Sequence, residues 1–187
     1  MYKFLCEDNK YETYQYVETK TFQPIDTLSI CPKKEKLFVN DVFDYNETNK
    51  KITLIHSNFK SNKMVPGILS LTTTHGKEKN KFLYLCKPDD KRIPFFLIPY
   101  IKPQKFDKSI QKIYILFEFK HWDYKHPYGT MKQNLGNINI LVNYYEYILY
   151  CKTLNISIQT FTKEVKQKLQ CKSNEEIIDT ISKKHNL

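Results

Sequence analysis

The side chains best suited to catalysis surround the only tryptophan of the chain. His121 and His126 flank Asp123 around a turn that contains a proline. Their spacing fits no Cys or His pattern of a zinc site, so a metal centre there is disfavoured. Cys151 lies among tyrosines in a helical pattern, and a cysteine nucleophile needs a base that the sequence does not identify. Since the chain also lacks a Walker loop, a dinucleotide fingerprint and a G-x-S-x-G motif, we predict no catalytic residue and no metal ligand.

Non-covalent chemistry is better supported, because lysines and aromatic residues lie side by side in two stretches. Such pairs provide base stacking and phosphate neutralisation, which single-stranded nucleic acids require. The candidates in the first stretch are Lys79, Lys81, Phe82, Tyr84, Phe95 and Phe96. The candidates in the second are Lys120, Trp122, Lys125, Tyr128 and Lys132. Because alternate residues of a strand face opposite ways, half of the first set must belong to the core.

Two further assignments have competing interpretations. Arg92 is the only arginine of the chain. It could contact a phosphate, or it could brace its own turn by pairing with Asp89 or Asp90, and bracing is favoured. Trp122 could stack on a base or fill the core, and the core is favoured.

The charge favours a polyanionic partner. The net charge is +10, and lysines that neutralise phosphates release counterions. Alternatively, part of the lysine excess reflects an A- and T-rich genome, because asparagine and isoleucine are also abundant.

The five cysteines are odd in number and widely spaced, which disfavours a disulfide framework and favours a reducing compartment. With no hydrophobic signal core and no run long enough to span a bilayer, we expect a cytoplasmic protein without a membrane partner.

The elements that must position these residues are mainly strands. In residues 1–62 the predicted strands are 11–17, 37–43 and 51–55, with 60–63 as a linker; we interpret this segment as a partial or degenerate first OB domain. In residues 63–136 the predicted strands are 65–74, 81–87, 95–100, 112–120 and 129–135, with a turn at 75–80. Five strands in about 70 residues are typical of an OB barrel.

Residues 137–187 change to a helical period and form the predicted exit segment. Its first helix has an apolar stripe at spacings of three and four, namely Ile140, Leu141, Tyr144, Tyr145, Ile148 and Leu149. Two lysine-rich helices follow at 158–169 and 174–184, the last capped by Ser173 with Glu175 and Glu176 in its first turn. The predicted fold class is mainly β with C-terminal α: cold-shock-like OB barrels followed by short helices.

An ordered set of motifs supports a more specific interpretation. It comprises Pro88, Asp90, Arg92 and Pro94; then Trp122; then Pro127, Gly129, Asn134, Leu135 and Gly136; and then the helix at 143–154 with Phe161. This arrangement, over about residues 63–165, resembles the second cold-shock-type OB domain of the ribonuclease II family, on the branch of the exosome-type 3′→5′ exoribonucleases. The resemblance of residues 1–62 to the first OB domain of that family is weak.

The resemblance implies a chain that binds single-stranded RNA and feeds it to a catalytic nuclease domain. In this family the catalytic centre is a run of closely spaced aspartates that hold Mg²⁺. The acidic pairs Asp89–Asp90 and Glu175–Glu176 have no third and fourth partner, so no catalytic residue is carried over. We therefore expect no cofactor in this chain, and we assign Mg²⁺ to a catalytic domain outside it.

Two other functions remain open. The chain could be a stand-alone, non-catalytic protein that contacts other proteins, for example in a large DNA virus, where it would occupy the host cytoplasm or the virion. It could also be a complete enzyme with an unrecognised site. The predicted function rests on the resemblance to a family, since a fold alone does not determine function.

Overall fold

Alternating apolar residues build an open sheet in the first third of the chain. The computed structural model describes residues 1–26, 28–103, 111–154 and 157–170. Within them the first four strands are β1 (Tyr2–Cys6), β2 (Tyr14–Glu18), β3 (Val42–Asn46) and β4 (Lys51–His56), in the order β2-β1-β3-β4. Phe4, Tyr16 and Phe43 point from this sheet into the core, and the ring of Tyr16 lies 5.7 Å from each of the other two.

A short helix and five more strands follow. The helix α1 (Asn58–Ser61) precedes β5 (Val65–Glu78), β6 (Lys81–Pro88), β7 (Phe96–Tyr100), β8 (Lys112–His121) and β9 (Tyr128–Asn137). The five strands close into a barrel in the order β5-β6-β7-β9-β8. Pairing is antiparallel except between β7 and β9, which run parallel. This closed five-stranded arrangement is an OB barrel, and the predicted fold class is confirmed.

The central strand β8 is buried on both faces. Ile113, Ile115 and Phe117 face the barrel interior, as their period of two predicts. The intervening Tyr114 and Leu116 are buried in a second, smaller cluster on the outside of the barrel.

The helix α2 (Leu141–Cys151) covers that second cluster, and the ring of Tyr147 stacks on Tyr114 at 4.3 Å. The prediction that the apolar stripe forms the packed face of α2 was wrong. Leu141, Tyr144 and Tyr145 are exposed, whereas the buried positions are Asn143, Glu146, Tyr147 and Tyr150. The helix turns this way because Asn143 donates to the backbone oxygen of Asn137 at 3.0 Å, which anchors a polar residue on the packed face.

The helix α3 (Ile158–Gln170) starts at Ser157. The hydroxyl of Ser157 accepts from the backbone N–H of Thr160 at 3.1 Å and donates to Glu146 Oε1 at 2.8 Å, which links α3 to α2. The predicted helix at 174–184, with Ser173, Glu175 and Glu176, lies outside the described residues. In the part of the chain that the structure describes, no helix combines the length and the apolar character needed to cross a bilayer.

Several strand boundaries differ from the predicted ones. The strand β1 was missed, and β3 begins at Val42 rather than at residue 37. The predicted linker at 60–63 overlaps α1, where Ser57 accepts from the backbone N–H of Lys60 at 3.2 Å. The strand β5 continues to Glu78 through two register shifts, so the predicted turn at 75–80 is confined to its end, where Lys79 takes a φ of 53°.

The open sheet and the barrel share one core. Leu37, Phe38 and Val39 belong to a buried loop, not to the predicted strand, and this loop enters the barrel end. The ring of Phe38 lies 4.4 Å from Phe59 and 5.4 Å from Phe119. The proposed domain boundaries at residues 62 and 136 stay predictions.

Candidate nucleic-acid interface

A groove opens along the barrel where β7 and β9 separate. The two strands pair only at Leu97 and Tyr128 within the described residues. Beyond that bridge they leave a groove of about 270 Å³. We call it the barrel groove; it is lined by Lys81, Pro99, Tyr100, Ile101, Thr130, Met131, Lys132, Gln133 and Asn134.

The barrel groove combines an aromatic ring, amides and cations. Tyr100 is half-buried, and its hydroxyl accepts from Asn134 Nδ2 at 3.5 Å. Burial raises the pKa of Tyr100, so the hydroxyl stays protonated and can donate. Lys81 is exposed at the rim, whereas Lys132 lies 2.8 Å from Glu118. The groove can therefore accept both a ring and a phosphate.

The β5–β6 hairpin adds an exposed aromatic residue beside the groove. Phe82 is 43% exposed, and the ammonium of Lys77 lies 4.5 Å from its ring centroid. Lys79 and Lys81 are exposed on the same hairpin. This arrangement keeps Phe82 outside the core, where its other face can meet a base.

Two aromatic candidates of the first stretch are unsuitable for stacking. Tyr84 is buried at 3% exposure, and Lys102 Nζ lies 5.3 Å from its ring centroid. Phe96 is fully buried and packs against Phe117 at 4.9 Å. Both side chains belong to the core, as expected for half of this set, so neither ring is available for stacking.

Arg92 braces its own loop. Its Nε and Nη2 donate to Asp90 Oδ1 and Oδ2 at 2.9 and 2.8 Å, and its backbone N–H also donates to Oδ1. Burial opposes ionisation of Asp90, but the hydrogen bonds from Arg92 outweigh it and lower the pKa of the carboxyl. Since the guanidinium is already paired, Arg92 is not positioned as a phosphate ligand.

Most of the remaining candidates, in the stretch around Trp122, already have partners within the protein. Trp122 is buried at 6% exposure, and its Nε1 donates to the backbone oxygen of Tyr124 at 2.9 Å. Lys120 forms an ion pair with Glu78, and the pKa of Glu78 is lowered by that hydrogen bond. Tyr128 stacks on His121 with ring centroids 4.7 Å apart. Of this stretch, Lys125 is exposed and has no ion pair among the described residues.

A second cavity, of about 520 Å³, lies between the turn after β8 and the open-sheet segment. We call it the lysine cleft; it is lined by Asn9, Lys10, Lys33, Lys34, Pro94, Phe95, Trp122, Tyr124, Lys125 and His126. The structure thus brings together Phe95, Trp122 and Lys125, which the sequence identified separately. Sequence reasoning missed Lys10, Lys33, Lys34 and Tyr124, and the only available signal was the lysine pair after Pro32.

The lysine cleft carries uncompensated charge. Among the described residues no ion pair involves Lys33, Lys34 or Lys125, while Lys10 lies 3.8 Å from Glu12 on the surface. Burial lowers the pKa of His126, which favours the neutral imidazole at pH 7. The cleft therefore owes its positive charge to lysines rather than to histidine.

The described residues contain no group of three His, Cys, Asp or Glu side chains that could hold a metal ion. His121 Nδ1 lies 2.7 Å from Asp123 Oδ2, and no third His, Cys, Asp or Glu of the described residues joins this pair. Cys151 has a pKa raised to about 12 by burial, so its thiol is protonated at pH 7. Cys171 lies outside the described residues.

The class defined by this fold is the OB-fold domain with a basic, aromatic groove. More specifically, residues 83–151 match the family model described as Dis3-like cold-shock domain 2 (CSD2). The match runs from β6 to the end of α2, so it includes the helix as well as most of the barrel. It confirms similarity to an OB domain of the ribonuclease II and Dis3 group. No curated protein matched the chain.

Proposed function

We propose that the chain binds single-stranded RNA along the barrel groove and the adjoining β5–β6 hairpin. The observation that carries this proposal is the groove between β7 and β9, which Tyr100, Lys81 and Lys132 line together. OB domains bind single strands on the face of their second and third strands, which here are β6 with Lys81 and β7 with Tyr100, with bases on aromatic rings and phosphates on lysines.

The similarity to Dis3-like cold-shock domain 2 supports RNA as the ligand. OB domains of that family bind single-stranded RNA. The net charge of +10 supports the same partner through counterion release. Since Arg92 is paired with Asp90 and no other arginine exists, bidentate recognition of guanine by arginine is absent. The protein therefore contacts mainly the RNA backbone, and its binding tolerates many RNA sequences.

We further infer that the bound strand is passed to a hydrolytic 3′→5′ exoribonuclease domain outside this chain, in the cytoplasm. The family similarity supports this role, and the acidic residues near the barrel have other partners. Asp90 is held by Arg92, and Asp89 Oδ1 accepts from the hydroxyl of Tyr147 at 3.2 Å. The Mg²⁺ ions of the reaction would be held by that other domain, where they would stabilise the attacking and leaving oxygens.

The test is fluorescence anisotropy of a labelled oligouridine of about 12 nucleotides, a length that several OB-type sites can cover. The variant Lys81→Ala/Lys132→Ala is compared with Lys20→Ala/Lys51→Ala, which removes the same charge from positions that line neither site. We expect the groove variant alone to bind more weakly, with the magnitude of the slope of log K against log salt reduced by about 0.7, because Lys81 contacts a phosphate whereas Lys132 is paired with Glu118. No binding by the wild-type chain at low salt would overturn the proposal.

A protein-binding function is the second candidate, because the start of α2 exposes a continuous apolar patch. Leu141 is 61% exposed, and Val142 and Tyr145 are more than half exposed. Exposed patches of this kind often mark interaction surfaces. Sedimentation of the wild-type chain and of Leu141→Ser at several concentrations tests self-association. Concentration-dependent assembly that Leu141→Ser removes, together with flat RNA anisotropy, would favour this function over RNA binding.

A further inference from the structure

We infer that the lysine cleft is a second nucleic-acid site, which holds one unpaired nucleotide of the strand through phosphate contacts with Lys33, Lys34 and Lys125 and base contacts with Phe95 and Tyr124. This inference rests on the proposed RNA-binding function and adds a site outside the β7–β9 groove.

The charges distinguish this site from the other basic positions. Lys120 and Lys132 each have a carboxylate partner, and Lys36 lies 3.9 Å from Asp123. By contrast, Lys33 and Lys34 have no ion pair in the described part of the chain. A phosphate at the lysine cleft therefore meets ammonium groups that need not leave a protein partner first.

The walls suit a base. Tyr124 is 76% exposed, Phe95 is half-buried, and Pro94 continues the apolar surface. Cavities that bind small ligands measure about 300–1,000 Å³, and this one measures about 520 Å³. The exposed ring of Tyr124 offers a face on which a base can stack. Stacking requires little rearrangement of the backbone, because Trp122 Nε1 already donates a hydrogen bond to the backbone oxygen of Tyr124 at 2.9 Å.

The cleft is composite, and its parts are held together by packing. Lys33 and Lys34 come from the segment before the buried loop of Phe38, whereas Tyr124 and Lys125 come from the connection between β8 and β9. The ring of Phe38 lies 5.1 Å from that of Trp122, and this contact joins the two halves. The site therefore requires the open-sheet segment as well as the barrel.

The first experiment measures the salt dependence of oligouridine binding by Lys33→Ala/Lys34→Ala. Both residues are exposed, so the fold should persist. We expect weaker binding and a slope whose magnitude falls by about 1.4, the value for lost contacts to the two phosphates that flank the bound nucleotide. The charge-matched Lys20→Ala/Lys51→Ala should keep the wild-type slope. An equal change in both variants would attribute the effect to net charge and overturn the inference.

The second experiment tests the base contact with Tyr124→Ala. We expect about tenfold weaker binding of oligouridine, because stacking on an aromatic ring is lost. Binding of an abasic oligomer of the same length should not change, and Phe161→Ala, which removes another exposed ring, should affect neither ligand. Equal weakening for both ligands, or no weakening, would overturn the base contact.

The two proposals can fail separately. If the wild-type chain binds RNA and Lys81→Ala/Lys132→Ala weakens it, but both cleft variants bind like the wild type, the lysine cleft is overturned and the groove stands. If only the cleft variants weaken binding, the cleft stands and the groove is overturned. If the wild-type chain does not bind at low salt, both proposals are overturned.

Discussion

The rings of Phe38 and Trp122 pack with centroids 5.1 Å apart and planes tilted by 36°. Phe38 belongs to the loop before β3, and Trp122 follows β8, so this contact joins the open sheet to the barrel. The backbone N–H of Phe38 also donates to Asp41 Oδ2 at 2.9 Å. A ring contact and a hydrogen bond thus hold the same residue in place.

We expect Phe38→Ala to lower the free energy of unfolding by about 3–5 kcal/mol, because it leaves a cavity among several aromatic rings. Urea unfolding followed by tryptophan fluorescence measures the change, since Trp122 borders that cavity. The control Phe161→Ala removes a ring that is 65% exposed and should change stability by less than about 0.5 kcal/mol. Similar losses in the two variants would contradict the central position of Phe38.

Gly136 allows α2 to approach the barrel. It has a φ of 109°, and a Cβ there would lie 2.3 Å from Asn143 Nδ2. We expect Gly136→Ala to destabilise the protein by more than about 1 kcal/mol, through backbone strain and displacement of Asn143. Gly76→Ala is a matched control, since its φ is 112° but its nearest neighbour is 3.8 Å away. Equal losses in thermal unfolding would assign the whole effect to backbone strain.

The sequence predicted the barrel well, because its strands obey simple patterns. Ile113, Ile115 and Phe117 alternate as a half-buried strand requires, and turn residues separate most neighbouring strands. The packed face of α2 was not predictable in this way. Burial of Asn143 and Glu146 depends on hydrogen bonds to Asn137 and Ser157, which no hydrophobic periodicity reports.

The candidate site was predictable only in part. Lys81 and Lys132 were identified from local aromatic neighbours, and the barrel brings them to one groove. The lysine cleft was missed because Lys33 and Tyr124 are distant in sequence and meet only through tertiary packing. The burial of Tyr84 was not predictable, because Tyr84 shares its period-two position on β6 with Phe82, yet it packs in the core whereas Phe82, near the hairpin end, is 43% exposed.

Asp41 gives a pH dependence of stability with a defined sign. It is fully buried, accepts from Ser57 Oγ at 2.5 Å, and has a pKa raised by burial despite this hydrogen bond and that from Phe38. A raised folded-state pKa means that the folded state binds the proton more tightly. Its stabilising contribution is therefore complete below the unfolded pKa of about 4 and is lost as pH rises through the folded pKa.

The variant Asp41→Asn isolates this effect. It loses at least one hydrogen bond, so we expect it to be about 1 kcal/mol less stable than the wild type at low pH. The difference in unfolding free energy should shrink as pH rises from about 4 towards 7. Urea unfolding of both proteins across this range measures it, and subtraction removes the titration of other groups. A difference that is constant or grows with pH would contradict the raised pKa.

Incubation with Mg²⁺ and labelled single-stranded RNA tests whether this chain alone is a nuclease. Two-metal hydrolysis needs carboxylates free to bridge both ions, whereas Asp90 is held by the two nitrogens of Arg92, and Asp89 accepts from Tyr147. We therefore expect the RNA to stay intact, with the same result for Asp90→Asn and in EDTA. Loss of RNA that requires Mg²⁺ and disappears in Asp90→Asn would instead make the chain an enzyme. Loss that persists in Asp90→Asn and in EDTA would indicate a contaminating nuclease, because neither the carboxylate nor the metal would then be involved.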